Sequence, residues 1–171
     1  MSTWFRTYGF ADVFGGLLVG SYPLDREDVA MLDWVGVRRV LNLVEDAEYR
    51  PGEREEVEHA MAELGIEEER LPLPDYGGLP SGLVERAVEI LGRWLTEGQT
   101  TYVHCRAGWQ RGPAIAAALL AVKEGIGIDE AIERVQLSKP SAEPLPHQRE
   151  DLWHWWEDRG VAARTGEAAE E

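Results

Sequence analysis

The sequence predicts an α/β protein with a central, mostly parallel sheet of about five strands flanked by helices. Short β-prone segments alternate with longer segments of helical periodicity, which favours parallel strands joined by crossover helices. The 171 residues are enough for one domain with its own core. A hydrophobic content of 44% and a charged content of 29% are typical of a globular chain.

The predicted strands are short and rich in β-branched or aliphatic residues. Turn or stop residues bound them, such as Pro23 after the first and Gly65 before the third. Because ligands of such sheets bind beyond the carboxyl ends of the strands, we expect the functional residues in the loops that follow them. The four predicted strands span residues 13–21, 37–44, 66–73 and 100–105.

The predicted helices are recognised by their caps and apolar faces. Asp25 can cap the first, and apolar residues recur at helical spacing in the segment that Pro80 opens. The segment 114–122 is apolar on every side, so we expect this helix to be fully buried. We assign residues 1–160 to a single domain and 161–171 to a flexible tail. The predicted helices span residues 25–35, 51–64, 80–98, 114–122, 129–137 and 148–157.

The charge balance excludes some partners. Lys and Arg number 17 against 32 Asp and Glu, a net charge of −15, which disfavours nucleic acid and anionic membranes. No apolar run is long enough to insert stably in a membrane, and the N-terminus lacks the pattern of a signal peptide, so we expect a cytoplasmic protein.

An acidic segment at residues 45–70 holds eleven acids and three bases, over half of the net charge. A solvated helix face with an adjoining loop is the usual meaning of such a run. The alternative is a docking surface for a basic partner.

The single cysteine, Cys105, excludes an intrachain disulfide framework and a multi-cysteine zinc site. The histidines show no metal-ligand spacing, so we predict neither a metal nor another cofactor.

The segment most informative about chemistry follows the last predicted strand and contains Cys105, five residues and then Arg111. A short loop leading into a helix N-terminus turns its N–H groups inward and forms an anion-binding cradle, and Gly108 permits the tight backbone. Arg111 can grip two oxygens of a phosphate, and a Cys105 thiolate beneath it is placed for in-line attack. The remaining predicted loop residues are His104, Arg106, Ala107, Trp109, Gln110 and Gly112.

This segment resembles the His-Cys-x5-Arg signature loop of the protein tyrosine phosphatase superfamily, and the order of elements is most similar to its compact dual-specificity branch. The resemblance covers roughly residues 8–158. It implies metal-free phosphomonoester hydrolysis through a cysteinyl-phosphate intermediate. It also implies a general acid on a mobile loop, for which Asp75, thirty residues before Cys105 and followed by Gly77 and Gly78, is the candidate. Asp75 could instead only shape a turn.

The sequence departs from many relatives at Gly112, where they carry Ser or Thr whose hydroxyl hydrogen-bonds the cysteine sulfur. We therefore expect slow hydrolysis of the cysteinyl phosphate. Pro113 is tolerated in the first turn of a helix, so the loop can still form.

Several side chains near the loop leave alternatives open. His104 orders the loop in relatives, but it could equally be a satisfied core residue. Trp109 could stack on a substrate ring or pack against the Asp75 loop, and Arg106 could bind a second phosphate. The cluster of Trp153, Trp155 and Trp156 indicates packing of the last helix, with a partner or membrane surface as the alternative.

The substrate is a phosphorylated protein or small phosphoester, with protein phosphotyrosine as our first expectation. Alternatives are a phosphoinositide or another non-protein phosphoester, a catalytically weakened module that only binds phospho-ligands, and a sulfur carrier of the rhodanese type. Because Cys105, Arg111 and Asp75 are all present, a catalyst is favoured over a binding module.

Overall fold

The computed structural model describes the backbone of residues 1–170 and the side chains of residues 1–164. Five strands form one sheet in the order β1-β2-β5-β3-β4. The pair β1 and β2 is antiparallel, and all other neighbours are parallel. The predicted α/β class with a mostly parallel sheet is confirmed. The strands are β1 (Phe10–Phe14), β2 (Leu17–Gly20), β3 (Arg39–Asn42), β4 (Glu67–Arg70) and β5 (Thr101–His104).

Helices cover both faces of the sheet. One face packs against α4 to α7 through a large apolar cluster that includes Val103, and the other packs against α1 to α3 through a smaller one that includes Tyr102. Neighbouring residues of β5 thus face opposite layers, as the pleat of a strand requires. The helices are α1 (Thr3–Tyr8), α2 (Arg26–Trp34), α3 (Glu55–Glu63), α4 (Ser81–Thr96), α5 (Arg111–Glu124), α6 (Ile128–Ser138) and α7 (Pro146–Glu170).

The central position of β5 places the site. In the register of the sheet, His104 at the end of β5 stands level with Gly20 of β2 and Asn42 of β3. The loop that begins at Cys105 therefore leaves the sheet between the loops that follow β2 and β3. This is where a parallel sheet leaves room for a ligand.

Three elements differ from the sequence-based prediction. The prediction of a single strand over residues 13–21 is wrong. Gly15 and Gly16 adopt φ of +50° and +89° and reverse the chain, so that β1 and β2 form a hairpin. Helix α1 was not predicted. Helix α7 continues through Glu170 into the segment that we assigned to a tail, and Glu171 lies outside the described residues. The flexibility of residues 161–171 stays a prediction.

The acids of the 45–70 segment bind largely to arginines of the protein. Glu68 pairs with Arg54 and Glu67 with Arg39, while Asp46 pairs with Arg70. These pairs fix the segment on the domain. A basic partner for it stays a prediction.

Of the three tryptophans near the chain end, Trp155 is buried in the core and donates its Nε1 hydrogen to Glu85 at 2.8 Å. Trp153 donates to Asp129 at 2.9 Å. Packing is therefore the role of Trp155, whereas Trp153 is 42% exposed. Along residues 1–170 no helix is long and apolar enough to cross a bilayer.

Candidate active site

The loop from Cys105 to Gln110 joins β5 to α5, and Arg111 is the first residue of that helix. The N–H groups at a helix start have no partner within the helix, so this position favours an anion. Cys105 is only 3% exposed, at a cavity of about 280 Å³. The cavity is lined by Trp4, Tyr8, Asp75, Tyr76, Cys105, Arg106, Ala107, Trp109, Gln110 and Arg111.

Gly108 fixes the shape of this loop. Its φ is +77°, and a Cβ there would lie 2.6 Å from the carbonyl carbon of Gly20. Both the backbone conformation and the close approach thus require glycine. On the outer side, the Arg106 carbonyl accepts a hydrogen bond from the Tyr22 amide at 3.1 Å. The loop is therefore held on the end of β2.

The Arg111 guanidinium is buried and held from several sides. Its two terminal nitrogens donate to Glu48 at 2.8 and 2.7 Å, and one also donates to the Leu73 carbonyl at 3.1 Å. Asp75 Oδ1 lies 3.2 Å from the other nitrogen. Burial lowers the pKa of Arg111, but the hydrogen bonds that it donates to Glu48 and the charges around it outweigh burial and raise the pKa. The side chain is a fixed cation.

Glu48 lies in a short 3-10 turn after β3 and is the main counterion of Arg111. Burial raises the pKa of its carboxyl, but hydrogen bonds from Arg111 and from the Glu45 amide outweigh this and lower it. The Glu45 amide donates at 2.7 Å to Oε2 of Glu48, the oxygen that also accepts from one nitrogen of Arg111. Glu48 is therefore ionised and rigid.

Asp75 lies on the loop after β4 and lines the cavity. Its side chain is 31% exposed, and its amide donates to Glu45 at 3.3 Å. The next residue, Tyr76, has φ of +58°, which is unusual for a residue with a side chain. The carboxylate thus reaches Arg111 while staying open to the cavity.

His104 lies behind the loop, in the core. Its Nδ1 is 3.0 Å from the carbonyl of Cys105, and because a carbonyl only accepts, Nδ1 carries the hydrogen. Burial lowers the pKa of His104 to about 4, so the ring is neutral near pH 7. Within the described residues its Nε2 atom is buried without a hydrogen-bond partner. The ring therefore contacts the cysteine through the backbone.

Aromatic side chains form one wall of the cavity, and helix α1 supplies two of them. Trp4 and Tyr8 lie 4.3 Å apart between ring centroids, and Tyr8 meets Trp109 at 5.4 Å. The Arg106 guanidinium lies over the Trp4 ring, 5.7 Å from its centroid. Trp109 thus packs against Tyr8 of α1.

The buried Asp28 carboxylate anchors the start of α1. It accepts hydrogen bonds from the Ser2 amide at 2.7 Å and from the Ser2 hydroxyl at 2.6 Å. Ser2 in turn caps α1 by accepting from the Phe5 amide at 3.1 Å. The aromatic wall is therefore fixed to helix α2, to which Asp28 belongs.

Comparison with known families agrees with this geometry. Residues 13–150 match the family described as the Swiss Army Knife protein, DSP-PTPase phosphatase domain. The chain belongs to this family. It is a DSP-PTPase domain with the protein tyrosine phosphatase fold, and the predicted resemblance is confirmed.

Two curated relatives of this DSP-PTPase domain are named for lipid phosphates. Phosphatidylglycerophosphatase and protein-tyrosine phosphatase 1 of Rattus norvegicus is 31% identical over 102 residues, covering 59% of this chain and 52% of the relative. Phosphatidylglycerophosphate phosphatase PTPMT2 of Arabidopsis thaliana is 31% identical over 134 residues, covering 78% and 56%. The chain thus spans about half the length of these relatives.

The structure of PTPMT1 in complex with PI(5)P superposes on the DSP-PTPase domain with a TM-score of 0.77. The two are 25% identical, and the match covers 90% of this chain and 98% of that one.

Most of the sequence-predicted residues of the DSP-PTPase domain meet at the cavity. His104, Gly108 and Gly112 support it from behind rather than line it. Sequence reasoning missed Glu48 and the wall residues Trp4, Tyr8 and Tyr76. The i,i+4 spacing of Trp4 and Tyr8 after a capping Ser2 could have indicated α1, whereas nothing local distinguishes Glu48 from its acidic neighbours.

Proposed function

We propose that the protein hydrolyses phosphomonoesters with Cys105 as nucleophile, Arg111 as phosphate ligand and Asp75 as general acid. The observation that carries the proposal is that these three side chains line one cavity at the N-terminus of α5. The helix start and the Arg111 charge favour a dianion above Cys105.

In the first step the Cys105 sulfur forms a bond to phosphorus as the bond to the leaving oxygen breaks. Protonated Asp75 gives its proton to that oxygen. In the second step a water oxygen attacks phosphorus, the S–P bond breaks and Asp75 takes the proton of the water. Arg111, held by Glu48, keeps two phosphate oxygens in place throughout.

For the substrate we favour a non-protein phosphoester of the glycerophosphate type. Two curated relatives carry phosphatidylglycerophosphate in their names, and PTPMT1 is known in complex with PI(5)P. Arg106 adds a second cation at the cavity that suits a substrate with a further acidic group.

Protein phosphotyrosine is a second candidate, favoured by the aromatic wall. The rings of Trp4, Tyr8 and Trp109 can pack against a phenyl ring next to the phosphate. A cytoplasmic location stays a prediction for either substrate.

The deciding experiment compares initial rates on short-chain phosphatidylglycerophosphate, a soluble phosphoinositide, a phosphotyrosine peptide and a phosphoserine peptide. We expect hydrolysis that vanadate inhibits and that Cys105→Ser abolishes, fastest on phosphatidylglycerophosphate. Higher kcat/KM on the phosphotyrosine peptide would favour the second candidate.

Binding of these ligands without hydrolysis would indicate a phospho-ligand module. Sulfur transfer from thiosulfate without phosphatase activity would indicate the rhodanese type. Either result would overturn the proposal.

A further inference from the structure

We infer that His147, Gln148 and Asp151 on α7 are positioning residues that hold the loop of residues 74–79, and with it Asp75, in place for proton transfer. The inference rests on the proposed role of Asp75 as general acid. None of the three side chains lines the cavity, so they act only through the loop.

The contacts converge on the backbone of this loop. His147 Nε2 lies 2.9 Å from the Tyr76 carbonyl and 3.2 Å from the Gly77 carbonyl. Gln148 donates from Nε2 to the Gly77 carbonyl at 3.2 Å. Asp151 accepts from the Leu79 amide at 2.7 Å. Helix α7 thus binds the carbonyls of Tyr76 and Gly77 and the amide of Leu79, all of which follow Asp75 within four residues.

The loop needs such support because its own conformation is costly. Among the described residues Tyr76 is the one non-glycine residue with positive φ, and strain of this kind costs on the order of 1–3 kcal/mol unless the surroundings hold it. The hydrogen bond from the Gly77 amide to the Pro74 carbonyl, 3.1 Å long, closes only a tight turn.

The two glycines after Asp75 are packing positions. A Cβ on Gly77 would lie 2.4 Å from the Pro74 Cβ, and one on Gly78 would lie 2.9 Å from Asp151 Oδ2. Neither residue has a positive φ. They let the loop lie directly against itself and against α7.

Gln148 also couples this loop to the phosphate-binding loop. It is fully buried, and its Oε1 accepts from the Leu145 amide at 2.9 Å while its Nε2 reaches Gly77. In the same linker before α7, the Glu143 amide donates to the Trp109 carbonyl at 2.6 Å. Helix α7 and the linker before it therefore contact both the loop of residues 74–79 and the loop that begins at Cys105, and they fix the position of one relative to the other.

Leaving-group dependence tests the inference, because a general acid matters most when the leaving oxygen is basic. We measure kcat/KM on phenyl phosphate and on p-nitrophenyl phosphate, whose leaving group needs little protonation. Full loss of a general acid costs about 10²–10⁴ in rate. We expect His147→Ala and Gln148→Glu to lower kcat/KM roughly tenfold on phenyl phosphate and less than about threefold on p-nitrophenyl phosphate.

The variants separate positioning from folding. Gln148→Glu keeps the acceptor for Leu145 but removes the donor to Gly77, and exposed His147 can be truncated without opening the core. His147→Gln, which retains an N–H donor, should recover part of the loss. Glu150→Ala is the matched control on the same helix turn, since its side chain is exposed and pairs with the exposed His154.

Asp75→Asn distinguishes the failure of this inference from the failure of the proposed function. In the Asp75→Asn background, His147→Ala should cause no further loss of kcat/KM on phenyl phosphate, because the carboxyl group that His147 helps to position is gone. If Asp75→Asn itself leaves phenyl phosphate hydrolysis unchanged, the proposed role of Asp75 is wrong. If Asp75→Asn is impaired but both α7 variants slow the two substrates equally, the inference is overturned.

Discussion

Arg111 and Glu48 form a two-pronged ion pair beneath the cavity, with N–O distances of 2.8 and 2.7 Å. Their side chains are 2% and 10% exposed, so the pair is shielded from water. A planar guanidinium held in this way is fixed in one orientation at the cavity.

Glu48→Gln should weaken the fold, because it leaves the buried Arg111 charge without its counterion. Breaking a buried pair costs about 3–5 kcal/mol. We expect a lower melting temperature that inorganic phosphate raises more in the variant than in the wild type, since the dianion replaces the missing charge. Glu63→Gln removes an exposed partner of Arg26 and is the control, with little expected change. Equal stabilisation of Glu48→Gln and wild type by phosphate would contradict the prediction.

Glu48 should also make the free energy of unfolding depend on pH in the acidic range. Its folded-state pKa lies below the ordinary value of 4.5, so it stabilises the fold above that pH. This contribution is lost as the pH falls from 4.5 through the folded-state pKa. The free energy of unfolding can be measured with urea at several pH values. Below pH 4.5 it should fall less steeply with falling pH in Glu48→Gln than in the wild type. Parallel curves would show that another group is responsible.

His104 should also lower stability as the pH falls, and its effect begins at a higher pH than that of Glu48. Its pKa is about 4 in the folded state against an ordinary value of 6.5, so between these values the unfolded chain binds the extra proton. Stability is then complete above pH 6.5 and falls towards pH 4, by about 3 kcal/mol in total. NMR titration of the ring protons of His104 should give a midpoint near 4. A midpoint at the ordinary value would show that the ring is solvated.

Gly108→Ala should destroy phosphate binding, because both its φ of +77° and the 2.6 Å approach to Gly20 exclude a Cβ. We expect at least about a hundredfold loss in kcat/KM, since a displaced amide cradle no longer fits the phosphate. Gly82→Ala is the matched control: a Cβ there meets nothing within 4 Å, and alanine favours the helix. An active Gly108→Ala enzyme would mean that the loop adopts another shape during catalysis.

Gly112→Ser should speed the second chemical step. A Cβ at residue 112 would lie 3.7 Å from the Cys105 sulfur, so a serine hydroxyl can hydrogen-bond the departing thiolate. Val19 Cγ1, at 3.3 Å, must shift slightly. Rapid-quench kinetics should show a burst followed by slow turnover in the wild type and a faster steady rate in Gly112→Ser. A wild type without a burst would remove the basis of this prediction.

The net charge of −15 should govern activity on membranes. If the substrate is a lipid, added anionic lipid in the vesicle should slow hydrolysis by repelling the protein, and salt should relieve the effect. Soluble short-chain lipid provides the control, because it presents no charged surface. Faster hydrolysis on anionic vesicles would point to a local basic surface that dominates the net charge.

The sequence predicted the mostly parallel sheet and the loop from Cys105 to Arg111 because both depend on local patterns. Short apolar or β-branched segments indicated β3 and β5, and the spacing from Cys105 to Arg111 lies within a single loop. The thirty-residue separation of Asp75 from Cys105 was also usable, because the resemblance to a family supplied it.

The parts that could not be predicted depend on contacts between distant segments. Glu48 and Arg111 are 63 residues apart, and no local feature marks Glu48 among the acids of residues 45–70. The hydrogen bond from Gln148 of α7 to Gly77, in the loop after Asp75, joins residues that are 71 positions apart in the sequence. The hairpin at Gly15 and Gly16 was missed for a different reason, since a continuous β-prone run concealed a two-glycine turn.

Cys105 is the sole sulfhydryl of this sequence and lies at the cavity. A thiol-directed reagent therefore modifies a single atom, and the extent of labelling measured by intact mass reports directly on cavity occupancy. Competition between iodoacetamide and any candidate ligand would thus rank ligands by affinity before a substrate for turnover has been found.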